Sequence, residues 1–178
     1  MSGRTPALAV AAFKAELQQV LSCVTDAVLG ISRSEYKQAN TPHTVSLGLD
    51  SVPLAGPARI SLLVDQAYRI KREPSGSRSW VIETAGYRYA IRDADDREVV
   101  SYHCHPEGHS FVTTPHIHLG YGAMIGRPEL SKSHLPTGLI NLADLLRLAV
   151  GDFQVRPLRS DWAVVLAPAA SQSSGESS

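Results

Sequence analysis

Apolar positions along the chain switch period twice. From Pro6 onward Phe13, Leu17, Val20, Leu21, Val24, Val28 and Ile31 recur at steps of three and four, which predicts one amphipathic helix from about Pro6 to Ile31. Thr5 and Pro6 supply the N-cap and the first helical position, while Lys14, Gln18, Gln19 and Ser22 occupy the polar side. Its apolar face is expected to cover a sheet or to meet a partner chain. Ser32 to Pro57 is polar and rich in glycine and proline, with one short alternating run at Val45–Leu49. The period then falls to two. Strands are predicted at Arg59–Ile70, Trp80–Thr84 and Gly86–Arg92, with Glu73-Pro74-Ser75-Gly76-Ser77 as a break. Asp93-Ala94-Asp95-Asp96 joins the last of these to Glu98–His103 as a hairpin. A loop carrying Pro106, Gly108 and Pro115 leads into His116–Leu119.

Tyr121–Lys132 is expected to be irregular, and His134-Leu135-Pro136-Thr137-Gly138 a tight non-helical segment. Asn141 caps a second helix whose apolar face is Leu142, Leu145, Leu146, Ala149, Val150 and Phe153. Trp162–Leu166 reads as a final strand, and 169–178 as a disordered tail. Helix, consecutive strands, helix, strand is an α+β order: an antiparallel β-sheet packed against a long N-terminal helix and a second C-terminal helix, in one domain over 1–168.

Composition narrows the function classes. Lys plus Arg equals Asp plus Glu at 17 each, so no overall basic field marks the chain as a nucleic-acid binder, and any RNA contact must be local. Two cysteines, Cys23 and Cys104, do not make a disulfide framework. The run Ala7–Phe13 looks like a signal-peptide core, but Lys14 and Glu16 follow at once, and no run reaches the roughly 18 apolar residues of a membrane span. The expectation is a soluble, cytoplasmic protein without a membrane partner.

The chemistry is concentrated in histidine. Of seven in the chain, His103, His105, His109, His116 and His118 fall between Tyr102 and Leu119. Alternate strand residues share a face, so His103 projects with His105 and His116 with His118. If the two strands pair antiparallel, four imidazoles converge on one patch below His109, while Val100, Tyr102, Cys104, Ile117 and Leu119 face the core.

Three readings follow. His103, His105, His116 and His118 can ligate a divalent transition metal such as zinc. The cupin spacing is not met, because Glu107 follows the first His-x-His too closely, and no His-Glu-x-x-His is present. Alternatively the same histidines are a metal-free general acid and base acting on a phosphodiester, with Arg59, Arg88, Arg92 or Arg97 holding its oxygens and Arg88 and Arg97 preferred. In the third reading the histidines are structural. His43 and His109 suit that role best taken singly, and His134 belongs to a turn that can also return to the cluster. No Gly-x-Ser-x-Gly or phosphate-cradling Gly-x-x-x-x-Gly-Lys occurs. Cys104, between His103 and His105, points to the opposite face.

Gly86-Tyr87-Arg88-Tyr89 through Asp93, then His105-Pro106, then Thr114-Pro115-His116-Ile117-His118, resembles bacterial TumE-type toxins of toxin–antitoxin pairs, over residues 87–119. Here the last segment reads His-Ile-His where that family tends toward adjacent histidines. The resemblance implies an intracellular bacterial effector acting on RNA, an antitoxin-like protein partner, and His105, His116 and His118 as site positions. A non-enzymatic metal-binding or interaction module, homo-oligomeric or partnered through the first helix, is the alternative.

Overall fold

The computed structural model describes residues 2–32, 41–48, 50–74, 79–107, 111–126, 130 and 133–167. His109, the core of the break at 75–78 and the tail from 168 onward lie outside them.

Strand β1 (Ser2–Gly3) precedes helix α1 (Pro6–Leu21). Thr5 caps α1 by accepting from the Leu8 amide, and Pro6 opens it. The helix ends ten residues before the expected Ile31, and the reason is visible at its last turn. The Gln18 side chain holds the Ala27 carbonyl and the Leu29 amide at 2.9 Å each, and the Leu158 amide donates to the Cys23 carbonyl at 2.8 Å. These contacts turn the chain back, and Gly30–Ile31 becomes strand β2. Val24 and Leu29 stay buried without remaining helical.

The strands are β3 (His43–Ser46), β4 (Val52–Pro53), β5 (Ser61–Arg72), β6 (Trp80–Arg92), β7 (Glu98–Cys104), β8 (His116–Leu119) and β9 (Leu135–Pro136). They form one antiparallel sheet in the order β2-β3-β5-β6-β7-β8-β9, with β1 on β6 and β4 on β5. The two runs expected on either side of Ala85 are one strand. Ala67 pairs Gly86 and Tyr68 pairs Thr84, which leaves Ala85 as the extra residue of a bulge.

Helix α2 (Leu142–Gly151) opens with a reciprocal capping box between Asn141 and Asp144. Trp162–Val165, expected as a strand, is instead a single helical turn, α3. The Asp161 carbonyl accepts from Val164 and Val165, and Val164 is exposed while Trp162 and Val165 pack on the core. A short apolar run does not by itself distinguish the two conformations.

Strand alternation gives the sheet two different faces. Leu62, Val64, Tyr68, Tyr87, Tyr89, Ile91, Val100 and Cys104 point toward Val10, Phe13 and Leu17 of α1 and Leu142, Leu145 and Leu146 of α2. The opposite face, away from α1 and α2, carries Asp65, Arg88, Ser101, His103, His105, His116 and His118. No helix among the described residues is long and apolar enough to cross a membrane.

Candidate functional site

Register builds the site. Asp65 lies opposite Arg88, Arg88 opposite His103, and His103 opposite His116, so one transverse row on the open face runs from β5 to β8. The next row places Ser101 opposite His118. Two devices hold β8 against β7. The Gly120 amide donates to the Val99 carbonyl at 3.1 Å, and Gly120 approaches so closely that a Cβ there would run into the Glu98 carbonyl oxygen. On its other edge β8 pairs with β9, which brings in His134 from the residue before that strand.

Five imidazoles therefore meet. Ring centroids are 5.5 Å apart for His103–His116, 4.8 Å for His103–His118 and 5.0 Å for His116–His118. His105, just past β7, lies 5.1 Å from His103, and His134 lies 4.5 Å from His118. The site lies at the surface and yet is partly dry: His116 is 1% exposed, His103, His105 and His118 are half-buried, and His134 is exposed.

Hydrogen bonds orient these rings. His116 Nδ1 lies 2.7 Å from the Thr114 carbonyl oxygen. A carbonyl only accepts, so Nδ1 carries the proton and Nε2 keeps a free lone pair, the arrangement that second-shell carbonyls impose on metal-ligating histidines. His103 Nε2 lies 2.8 Å from Ser101 Oγ, Ser101 Oγ lies 2.6 Å from Glu98 Oε1, and His103 Nδ1 lies 3.1 Å from His105 Nε2.

Burial pushes the His103 imidazole down to about 3, helped by His118, His105, Arg88 and His116 around it. Burial, then His116 and Arg88, lower His105, and burial, then His134 and His116, lower His118 against a smaller opposing pull from Glu98. These three rings are accordingly held in the neutral form that ligation requires.

His103, His116 and His118 each present a ring nitrogen, and these nitrogens lie within 4.8 Å of one another. Tetrahedral zinc with Zn–N bonds of 2.0–2.1 Å separates its ligand nitrogens by about 3.4 Å, so small ring rotations bring the three onto one ion. Three histidine ligands would leave a fourth tetrahedral position for water or substrate.

Of the positions singled out from sequence, His103, His105, His116 and His118 share one face as expected, and His134 returns to join them. The two preferred arginines have other partners. Arg97 is held by Asp93 and Asp95 in the hairpin turn, at the far end of β7 from His103. Arg88 stands beside His103, but its Nη2 donates to Glu98 at 3.3 Å. His43 is buried on the core face against Tyr68, with ring centroids 5.4 Å apart. Cys104 also faces the core, and Cys23 and Cys104 are both free thiols.

Sequence reasoning missed Ser101, Glu98 and Thr114. Ser101 had a signal available: it lies two residues before His103, on the same strand face. Glu98 reaches that face only through the register shift next to Arg92, and Thr114 acts through its backbone, which no side-chain pattern reveals. Ser101 is fully buried, so its hydroxyl is not placed to attack a substrate. Beside the cluster, Thr44, Asp65, Ala67, Gly86, Arg88 and His105 line an open depression of about 260 Å³. Comparison of the chain with protein-family models, with curated proteins and with solved structures finds no match.

Proposed function

We propose that this protein is a metal-dependent hydrolase that holds a divalent transition metal of the zinc class on His103, His116 and His118 and cleaves RNA phosphodiesters. The observation that carries the metal is the convergence of three ring nitrogens within 4.8 Å, one of them on a buried imidazole whose other nitrogen is tied to a carbonyl. Metal-free acid–base chemistry is the weaker reading. It needs a free anion holder beside the rings, whereas Arg88 donates to Glu98 and Arg97 is held in the hairpin turn.

An ion of this class supplies Lewis acidity and brings the ionisation of water toward neutral pH. The chain contributes the clustered imidazoles and the half-dry surroundings. A site beside an open depression of about 260 Å³ suits an extended polymer better than a small molecule engulfed in a deep pocket. His105, His116 and His118, the positions carried by the toxin resemblance, all lie in this cluster and supply the phosphodiester half of the proposal. An antitoxin-like partner or a second copy would need a surface other than the apolar face of α1, which its own sheet covers. Two buried free thiols are compatible with a reducing compartment, and we place the activity in the cytoplasm.

Metal content, measured on protein purified without an affinity tag, tests the reading. One zinc-class ion per chain, lost on His116→Ala, together with cleavage of single-stranded RNA that a chelator abolishes, is the expected result. Stoichiometric metal without hydrolysis would make the protein a binding module. Hydrolysis that persists after the metal is stripped would return the chemistry to the histidines alone.

A further inference from the structure

We propose that Glu98 and Ser101 are positioning residues that lock His103 in its Nε2–H tautomer and thereby make Nδ1 its ligating atom. The second half of this proposal rests on the metal reading above; the first half does not.

The direction of the chain of hydrogen bonds follows from counting protons. Ser101 Oγ has one hydrogen and two neighbours, Glu98 Oε1 at 2.6 Å and His103 Nε2 at 2.8 Å. A carboxylate has none to give, and 2.6 Å lies in the range of a charge-assisted O–H···O⁻ bond. Arg88 Nη2 donates to the other Glu98 oxygen, so this carboxylate accepts on both sides. Ser101 therefore donates to Glu98, and its oxygen is left to accept. His103 Nε2 must carry the proton that fills it, which leaves the lone pair on Nδ1.

The lock is well protected. Ser101 has no solvent exposure and sits on β7 between Ala90 of β6 and His118 of β8. Removing its hydroxyl would strand the His103 N–H in a half-dry setting, where an unmade hydrogen bond is expensive. Arg88 thus serves as the outer end of a four-member chain, Arg88–Glu98–Ser101–His103, rather than as a free anion holder.

His105 completes the picture from the other side. Its Nε2 lies 3.1 Å from His103 Nδ1, so His105 Nε2–H donates to that lone pair, the one a metal on His103 would need. Loading the site displaces this donor. His105 must then turn or change tautomer, which gives metal binding a signature at a residue outside the three ligands.

Two-bond ¹H–¹⁵N spectra of ¹⁵N-histidine-labelled protein, metal-free and at pH 7.5, read the tautomer of each ring directly. The expected result is His103 protonated on Nε2 in the wild type, a mixture of tautomers in Ser101→Ala, and the wild-type tautomer restored in Ser101→Thr. Glu98→Gln should also admit the Nδ1–H form, because an amide lets the hydroxyl turn toward the ring. Zinc affinity should fall about 10- to 100-fold in Ser101→Ala, the usual effect of losing an outer-shell partner, and recover in Ser101→Thr. A wild-type His103 protonated on Nδ1 overturns the lock whether or not the variants fold. An Nε2–H tautomer in a protein that fails to bind zinc supports the lock and refutes the metal reading. Zinc affinity unchanged in a folded Ser101→Ala refutes the assignment of Nδ1 as ligand.

Discussion

Imidazoles whose centroids lie 4.5–5.9 Å apart cannot all carry charge, and this sets how the site responds to acid. Three of them, His103, His105 and His118, have their folded-state pKa pushed below the ordinary value near 6.5, His103 as far as about 3. The unfolded chain then binds more protons than the folded one between these limits, so stability is complete above about pH 6.5 and declines as pH falls toward 3. For His103 alone the loss between pH 6.5 and 5 is about 2 kcal/mol. Urea unfolding of chelator-treated protein at pH 7.5 and 5.0 should show that loss, and His103→Gln should flatten the dependence. Equal stability of the wild type at the two pH values would contradict the burial argument. The histidine patch was legible from residue type and spacing, because alternation alone places each His-x-His pair on one strand face. The hydrogen bonds that orient the rings were not, since a hydroxyl direction or a backbone carbonyl partner depends on register and loop path.

At the scale of elements, the site depends on how tightly β8 lies against β7. Gly120 makes that approach possible, and a methyl group there meets the Glu98 backbone rather than a side chain able to move aside. Gly120→Ala should therefore destabilise the protein by about 1–3 kcal/mol and weaken metal binding, because the shift falls on the strand carrying His116 and His118. Thermal melts and a zinc titration on one preparation check both effects; a melt unchanged from wild type would contradict the packing.

The elements that sequence periodicity predicted well are those whose pattern is local. The Asp93–Asp96 turn with its flanking strands and the Asn141 cap with its helix face both appear as expected, because hairpin chemistry and capping act within a few residues. Two of the departures have different causes, a distant partner in the first and a local helical turn in the second. The apolar spacing continues past Leu21, but Gln18 and the Leu158 amide bend the chain away, and Val24 reaches the core by another route. Trp162–Leu166 has strand composition, yet the Asp161 carbonyl starts a helical turn there.

The whole molecule separates stability from chemistry. The core lies between the helices and one sheet face, and the clustered histidines occupy the other, so the two are joined mainly through the strands themselves. Leu145→Ala, at a position only 1% exposed, should cost about 2–5 kcal/mol of stability while leaving metal stoichiometry unchanged in the folded fraction. Loss of stoichiometry in folded Leu145→Ala would show that the two faces are coupled. The α+β order and the antiparallel sheet were legible from the run of hairpin-length links. That the clustered histidines face away from the core followed once they and the apolar positions were seen to alternate on β7 and β8.

The central claim is that His103, His116 and His118 close on one metal ion, and X-ray absorption fine structure at the zinc edge of the zinc-loaded protein tests it most directly. A first shell with three imidazole nitrogens near 2.0–2.1 Å and one lighter-atom ligand, reduced to two imidazoles or emptied in His118→Ala, is the result expected. A first shell built from carboxylate or water oxygens, or one identical in wild type and His118→Ala, would contradict it.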